Sequence, residues 1–191
     1  MHEWITTYTG KRFYPLNPRP EDVDILDIAH AVSQICRFGG HTRQFYSVAQ
    51  HSWYVAERIR KWITNVQRHW KAHVVVQGLL HDASEAYLGD VVTPVKTTMG
   101  DYKRAEAVLM EAIYEGLGVA MPARFGEVCK AIKKADEEMF LTEYITLFRE
   151  PKRPYVLVPG GVEPVWDLDI DYWTPAQAEF NFLAMWEQYK P

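Results

Sequence analysis

The chain places a histidine, an adjacent His-Asp pair and a distant aspartate at positions where the surrounding pattern is apolar: His51, His81-Asp82 and Asp136. Charged side chains are rarely taken out of water unless they are paired or coordinate a cation. Two imidazoles and two carboxylates form a mixed nitrogen and oxygen set suited to a divalent ion: cobalt, manganese, zinc or iron, with magnesium as a further candidate. Such a set leaves coordination positions open for water and substrate, as catalysis requires. Two more carboxylates, Glu85 and Asp90, follow in the same stretch. Glu85 lies four residues after His81, hence on the same face of a helix, and both acids are free to move protons.

Adjacent residues on a helix are about 100° apart, so His81 and Asp82 can share one ion only if it sits against the helix flank and the other ligands come from neighbouring helices. The hydrophobic periodicity supplies them. A small hairpin is expected over residues 4–14, and the prolines of 15–20 make an extended strap. From Asp24 the period becomes 3.6, with Ile25, Ile28, Ala29, Val32, Ile35 and Cys36 on one face, and Gly39-Gly40 is expected to stop this helix beside Arg37 and Phe38.

A second helix is expected from Val48 to Ile63, with His51 pointing inward, and a third from about Ala72 to Leu88, ending at Gly89. Residues 91–96 are expected to form a loop around Pro94. Asp101 is expected to cap a fourth helix closed by Gly118. The fifth begins near Pro122 or Arg124, runs to about Phe148 and carries Asp136 on its apolar face. A short strand or hairpin is expected within 154–171. Thr174-Pro175-Ala176-Gln177 then opens a last helix with a capping box. The fold class is therefore mostly α, a helical bundle in a single domain over residues 1–191 with minor antiparallel hairpins.

The bulk numbers agree. With 191 residues, 48% of them hydrophobic, the chain can bury one sizeable core. A net charge of -4 argues against nucleic-acid polymers and membrane surfaces as partners, while leaving small anions open. Two distant cysteines, Cys36 and Cys129, make no disulfide framework, and neither a leader pattern nor an apolar run of spanning length is present, so a cytoplasmic location is expected. Asp167-Leu168-Asp169-Ile170-Asp171 fails as a calcium loop, because Tyr172 stands where glycine is needed and Ala178 where glutamate is needed.

The ordered set resembles the HD-domain phosphohydrolases, closest to the small bacterial and phage 5'-deoxynucleotidases and dATP triphosphohydrolases. The matching motifs are Ile35-Cys36-Arg37-Phe38, Tyr46 to Ser52, His81-Asp82-Ala83-Ser84-Glu85 with Gly89-Asp90, Thr93-Pro94-Val95-Lys96 and Lys134-Ala135-Asp136. The resemblance implies an HD-type bundle that attacks the 5' α-phosphate of a deoxyribonucleotide, releasing the nucleoside with phosphate or triphosphate, adenine favoured. It implies His51, His81, Asp82 and Asp136 as metal ligands and Glu85 and Asp90 as the proton-transferring pair. Arg37 is the best phosphate clamp, because its planar fork suits phosphate oxygens, with Lys96 as a second cation. Phe38 occupies the position where the resembling enzymes carry an aromatic against the sugar. Those enzymes are oligomers, and the aromatic content of this chain fits subunit contacts.

Two other functions share these features. A phosphodiesterase of a cyclic or linear dinucleotide would use the same centre. A non-catalytic HD-type signalling or interaction module would not need the full ligand set with Glu85, which this chain retains.

Overall fold

The computed structural model describes residues 3–63, 68–123, 126–150 and 162–191. Two short strands, β1 (Ile5–Thr6) and β2 (Arg12–Phe13), pair antiparallel as the expected hairpin. The helices among the described residues are α1 (Ile25–Gln34), α2 (Val48–Trp62), α3 (Arg68–Leu79), α4 (Glu85–Leu88), α5 (Thr93–Lys96), α6 (Gly100–Gly116), α7 (Glu127–Leu147) and α8 (Pro175–Tyr189). The fold is thus mostly helical with one small sheet, as the sequence predicts. No described helix is long and apolar enough to cross a membrane. Of the strand or hairpin expected within 154–171, residues 154–161 lie outside the described residues, and 162–171 form no strand.

Helix α2 is the central element, packed against α1, α3, α7 and α8. Its apolar stripe of Val48, Val55 and Ile59 meets Ile28 and Val32 of α1, Val75 and Leu79 of α3, Met139 of α7 and Phe182 of α8 in one buried core. Gly78 of α3 faces α2 with no side chain of its own: a Cβ there would run into the Cδ1 end of Ile59 and would lie 3.5 Å from Ala56 Cα.

The helix starts obey local chemistry. Asp24 caps α1 by accepting from the Leu26 N–H, and Ser47 caps α2 by accepting from the Gln50 N–H. Thr174 and Gln177 form the reciprocal capping box of α8.

Four expectations are corrected. Helix α1 stops at Gln34, not at Gly39, because residues 35–37 leave it to pair with 46–48: Val48 N–H donates to Ile35 O, Arg37 N–H donates to Tyr46 O, and Cys36 bridges Ser47. The helix expected through Leu88 is broken after Leu79 by a tight turn with i→i−3 bonds, including Ala83 N–H to Leu80 O and Glu85 N–H to Asp82 O. Residues 93–96 form the short helix α5, because Pro94 falls in a first turn, where no N–H is needed. Asp101 lies inside α6, whose cap position is Met99.

Candidate functional site

The break after Leu79 is what turns His81 and Asp82 toward α2 and α7. The His81 Nδ1 lies 2.8 Å from the Gly78 carbonyl, at the end of α3 where helical carbonyls lose their backbone partners. Bonded there, Nδ1 carries the proton, and the lone pair of His81 Nε2 faces away from α3. His51, in the first turn of α2, is fixed in the same sense: its Nδ1 lies 2.6 Å from Oε1 of Glu143, so its Nε2 also presents a lone pair. Asp136 reaches the same point from α7.

The four side chains converge. His51 Nε2 is 3.1 Å from Asp136 Oδ1 and 3.7 Å from Asp82 Oδ2. His81 Nε2 is 3.2 Å from Asp82 Oδ2 and 3.9 Å from Asp136 Oδ1. One ligand atom from each of His51, His81 and Asp136 fits within 4.8 Å of the others. Both Nε2 atoms are buried, and despite the nearby oxygens neither has a hydrogen-bond partner. Orphaned imidazole nitrogens pointing at the same spot as two carboxylates fit a bound divalent cation. The His51 side chain is fully buried whereas that of Asp136 is 39% exposed, so the centre opens to solvent on the α7 side.

The electrostatics ask for positive charge. Burial opposes a charge on His81, yet Asp82 and Asp136 overcome it and push the imidazole up to about 9. Burial would raise Asp82, but His81, His51 and Arg37 hold it well below the usual carboxylate range. Asp136 is lowered against its burial by His51 and His81. Near neutral pH the metal-free His81 therefore holds a second proton on Nε2, which a metal ion would displace to reach the lone pair there.

Glu85, first residue of α4, behaves oppositely. It is 4% exposed, its Oε2 has no hydrogen-bond partner, and burial together with Asp82 and Asp90 pushes it up to about 9. Asp90 is raised by burial and by Asp82, although Arg37 pulls it down. Two carboxyls beside a cation centre that resist ionisation are suited to carrying protons.

The structure brings Arg37 to the same centre. Its Nη1 is 3.4 Å from Asp82 Oδ2 and its Nε is 3.3 Å from Glu143 Oε2. Phe38 follows in a left-handed conformation, with φ of 55° and Gly39 and Gly40 continuing the same hand. Such strain in a non-glycine residue is held only by its surroundings. The Phe38 ring packs at 5.7 Å and 5.2 Å from those of Phe140 and Phe148, with the Arg37 guanidinium 5.4 Å from its centre. Lys96 lies on α5, and its ion pair is with Glu106 of α6 rather than with the cluster.

One participant, Glu143, is not among the residues that the sequence singles out. Glu143 is completely buried and joins His51, Arg37 and the Tyr46 hydroxyl, which donates to its Oε1 at 2.8 Å. It lies seven residues after Asp136, two turns along the same helix face, and that spacing was the available signal.

The family model for YfbR-like 5'-deoxynucleotidases matches residues 26–145 of this chain, the span that contains every side chain of the cluster. The uncharacterized protein YfdR of Escherichia coli is 36% identical over 182 residues, covering 95% of this chain and 86% of that protein. An uncharacterized protein of Rhodobacter capsulatus is 36% identical over 138 residues, 70% of this chain and 67% of its own length. With that model matched over more than half of its length, the chain belongs to the YfbR-like 5'-deoxynucleotidase family.

Proposed function

We propose that this protein, as one domain over residues 1–191, is a metal-dependent hydrolase of deoxyribonucleotides. It attacks the 5' α-phosphate to release the deoxynucleoside with phosphate or triphosphate, and adenine is favoured. The observation that carries this reading is the pair of buried, unpartnered Nε2 atoms of His51 and His81 facing Asp82 and Asp136. These four residues would hold a divalent transition metal. When bound, such an ion polarises a phosphoryl oxygen and lowers the pKa of bound water.

The chain's own residues do the rest. Arg37, half-buried beside Asp82, presents its guanidinium to the phosphate oxygens. Glu85 and Asp90, pushed upward by burial and by Asp82, pass protons between the attacking water and the departing 5'-oxygen. Phe38, wedged beside Arg37, forms the wall against the sugar. Lys96 adds positive potential from α5.

Incubation of metal-stripped protein with Co2+ or Mn2+ and dAMP, dATP or a cyclic dinucleotide, with products separated by chromatography, tests the reading. Deoxyadenosine released from dAMP or dATP supports it, and inorganic phosphate against triphosphate as co-product separates the two substrate classes. A mononucleotide product from the dinucleotide, with no nucleoside from the other two, would replace it with phosphodiesterase activity.

A further inference from the structure

Glu143 is the most deeply buried carboxylate around the centre, with no exposure at all, and it faces solvent-free surroundings on every side. A buried carboxylate costs several kcal/mol unless its oxygens are satisfied. Here the two oxygens serve different neighbours. Oε1 accepts from His51 Nδ1 at 2.6 Å and from the Tyr46 hydroxyl at 2.8 Å, while Oε2 accepts no hydrogen bond and is held by charge alone, in an ion pair 3.3 Å from Arg37 Nε. The same carboxylate therefore fixes the tautomer of a candidate metal ligand and holds the candidate phosphate clamp.

The backbone reinforces the link. Tyr46 donates its hydroxyl to Glu143 and accepts the Arg37 N–H with its carbonyl, so Arg37 is tied to the strand-like segment that leads directly into Ser47 and α2. Any shift of Glu143 is transmitted to His51 through one oxygen and to Arg37 through the other.

We propose that Glu143 is a positioning residue shared by the metal centre and the phosphate-binding cation, so that metal affinity and substrate affinity depend on one buried carboxylate. This rests on the metal-dependent reading above. Glu143 touches neither metal nor substrate. It acts through His51 and Arg37.

The test is Glu143→Gln, which keeps the shape but removes the charge and places an amide NH2 against either His51 or Arg37. Co2+ titration followed by its visible d–d absorption, and KM for dAMP at saturating Co2+, are both measured. Outer hydrogen-bond partners of metal ligands typically contribute about 10- to 100-fold in metal affinity. A loss of that size with an altered d–d spectrum, together with a raised KM, is expected. Glu143→Asp keeps the charge but draws it back by one methylene, and should fall between wild type and Glu143→Gln on both readouts, which keeps the test decisive if the glutamine variant fails to fold. Arg37→Ala should raise KM without lowering Co2+ affinity, which separates the two arms. Variants that melt earlier but bind Co2+ and dAMP as wild type does would reduce Glu143 to a structural ion pair and overturn the proposal alone. Wild-type protein that takes up no Co2+ would overturn the metal reading and this proposal with it.

Discussion

Arg37 Nη1 stands 3.4 Å from Asp82 Oδ2, so the proposed phosphate clamp touches one of the proposed metal ligands. Asp82 and Glu143 together fix the orientation of the guanidinium. Charge-assisted hydrogen bonds are worth about 1.5–3 kcal/mol, roughly 10- to 150-fold in binding. Arg37→Ala should raise KM for a deoxynucleotide by a factor in that range. Arg37→Lys should recover little of it, because an ammonium lacks the planar fork. Metal affinity should not fall, since removing a cation beside Asp82 cannot weaken its hold on another cation. A Co2+ titration showing weaker uptake by Arg37→Ala would contradict this arrangement.

Stripping and restoring metal should change stability as well as activity. Native-state binding stabilises by about 2.7 kcal/mol at a hundred times Kd, and a chain of this size gains about 2–4 °C per kcal/mol. Chelated protein should therefore rise in melting temperature by roughly 5–10 °C on adding excess Co2+ or Mn2+. His81→Ala, which deletes one unpartnered Nε2, should melt at the same temperature with and without the ion. A His81→Ala protein that keeps the full shift would place the ion elsewhere.

The N-cap of α1 should report on acid stability. Burial would raise Asp24, but the Leu26 N–H and the Lys11 ammonium, 3.0 Å away, lower it below the ordinary carboxylate value. A depressed acid contributes stability that is complete above its unfolded pKa and is lost as pH falls through the folded one. Asp24→Ala should cost about 1 kcal/mol near neutrality. Asp24→Asn should keep most of the cap yet lose the part of acid sensitivity seen below about pH 4. Urea midpoints for the three proteins between pH 3 and 7 check this, and parallel curves would argue against it.

The sequence exposed what depends on period and local chemistry, and hid what depends on tertiary partners. Helices α2, α7 and α8 were visible because their apolar residues recur at 3.6, and the start of α8 also carries its capping box of Thr174 and Gln177, whereas α7 begins at Glu127 behind Gly126 with no side-chain cap to mark it. His51, His81, Asp82 and Asp136 were singled out by type and order, and the fold brings them to one point. The end of α1 was hidden because residues 35–37 exchange helical bonds for pairing with 46–48, a choice no local pattern records. The break after Leu79 was hidden because Leu79, Leu80 and Ala83 continue an apolar run in either conformation. Glu143 escaped because an acid on an α7 face reads as solvated until Tyr46, Arg37 and His51 are known to surround it.

Glu85 should show a conflict between stability and chemistry. Burial first, and then the charges of Asp82 and Asp90, push its carboxyl up to about 9 in the folded protein, against an ordinary value near 4.5. Between those two values the folded state holds a proton that the unfolded chain has released. Stability of the metal-free protein therefore falls as pH rises across that window, and Glu85 contributes to the fall. Glu85→Gln has no proton to lose there and keeps nearly the same volume. In chelator it should be more stable than wild type at pH 8–9, with the difference shrinking toward pH 5. With metal and substrate it should lose activity by about two to four orders of magnitude, the usual contribution of a general acid or base. Denaturant midpoints from pH 5 to 9 and turnover of dAMP measure the two effects on the same samples. Equal midpoints at every pH would show that Glu85 ionises freely in the folded protein, and full activity would remove it from proton transfer.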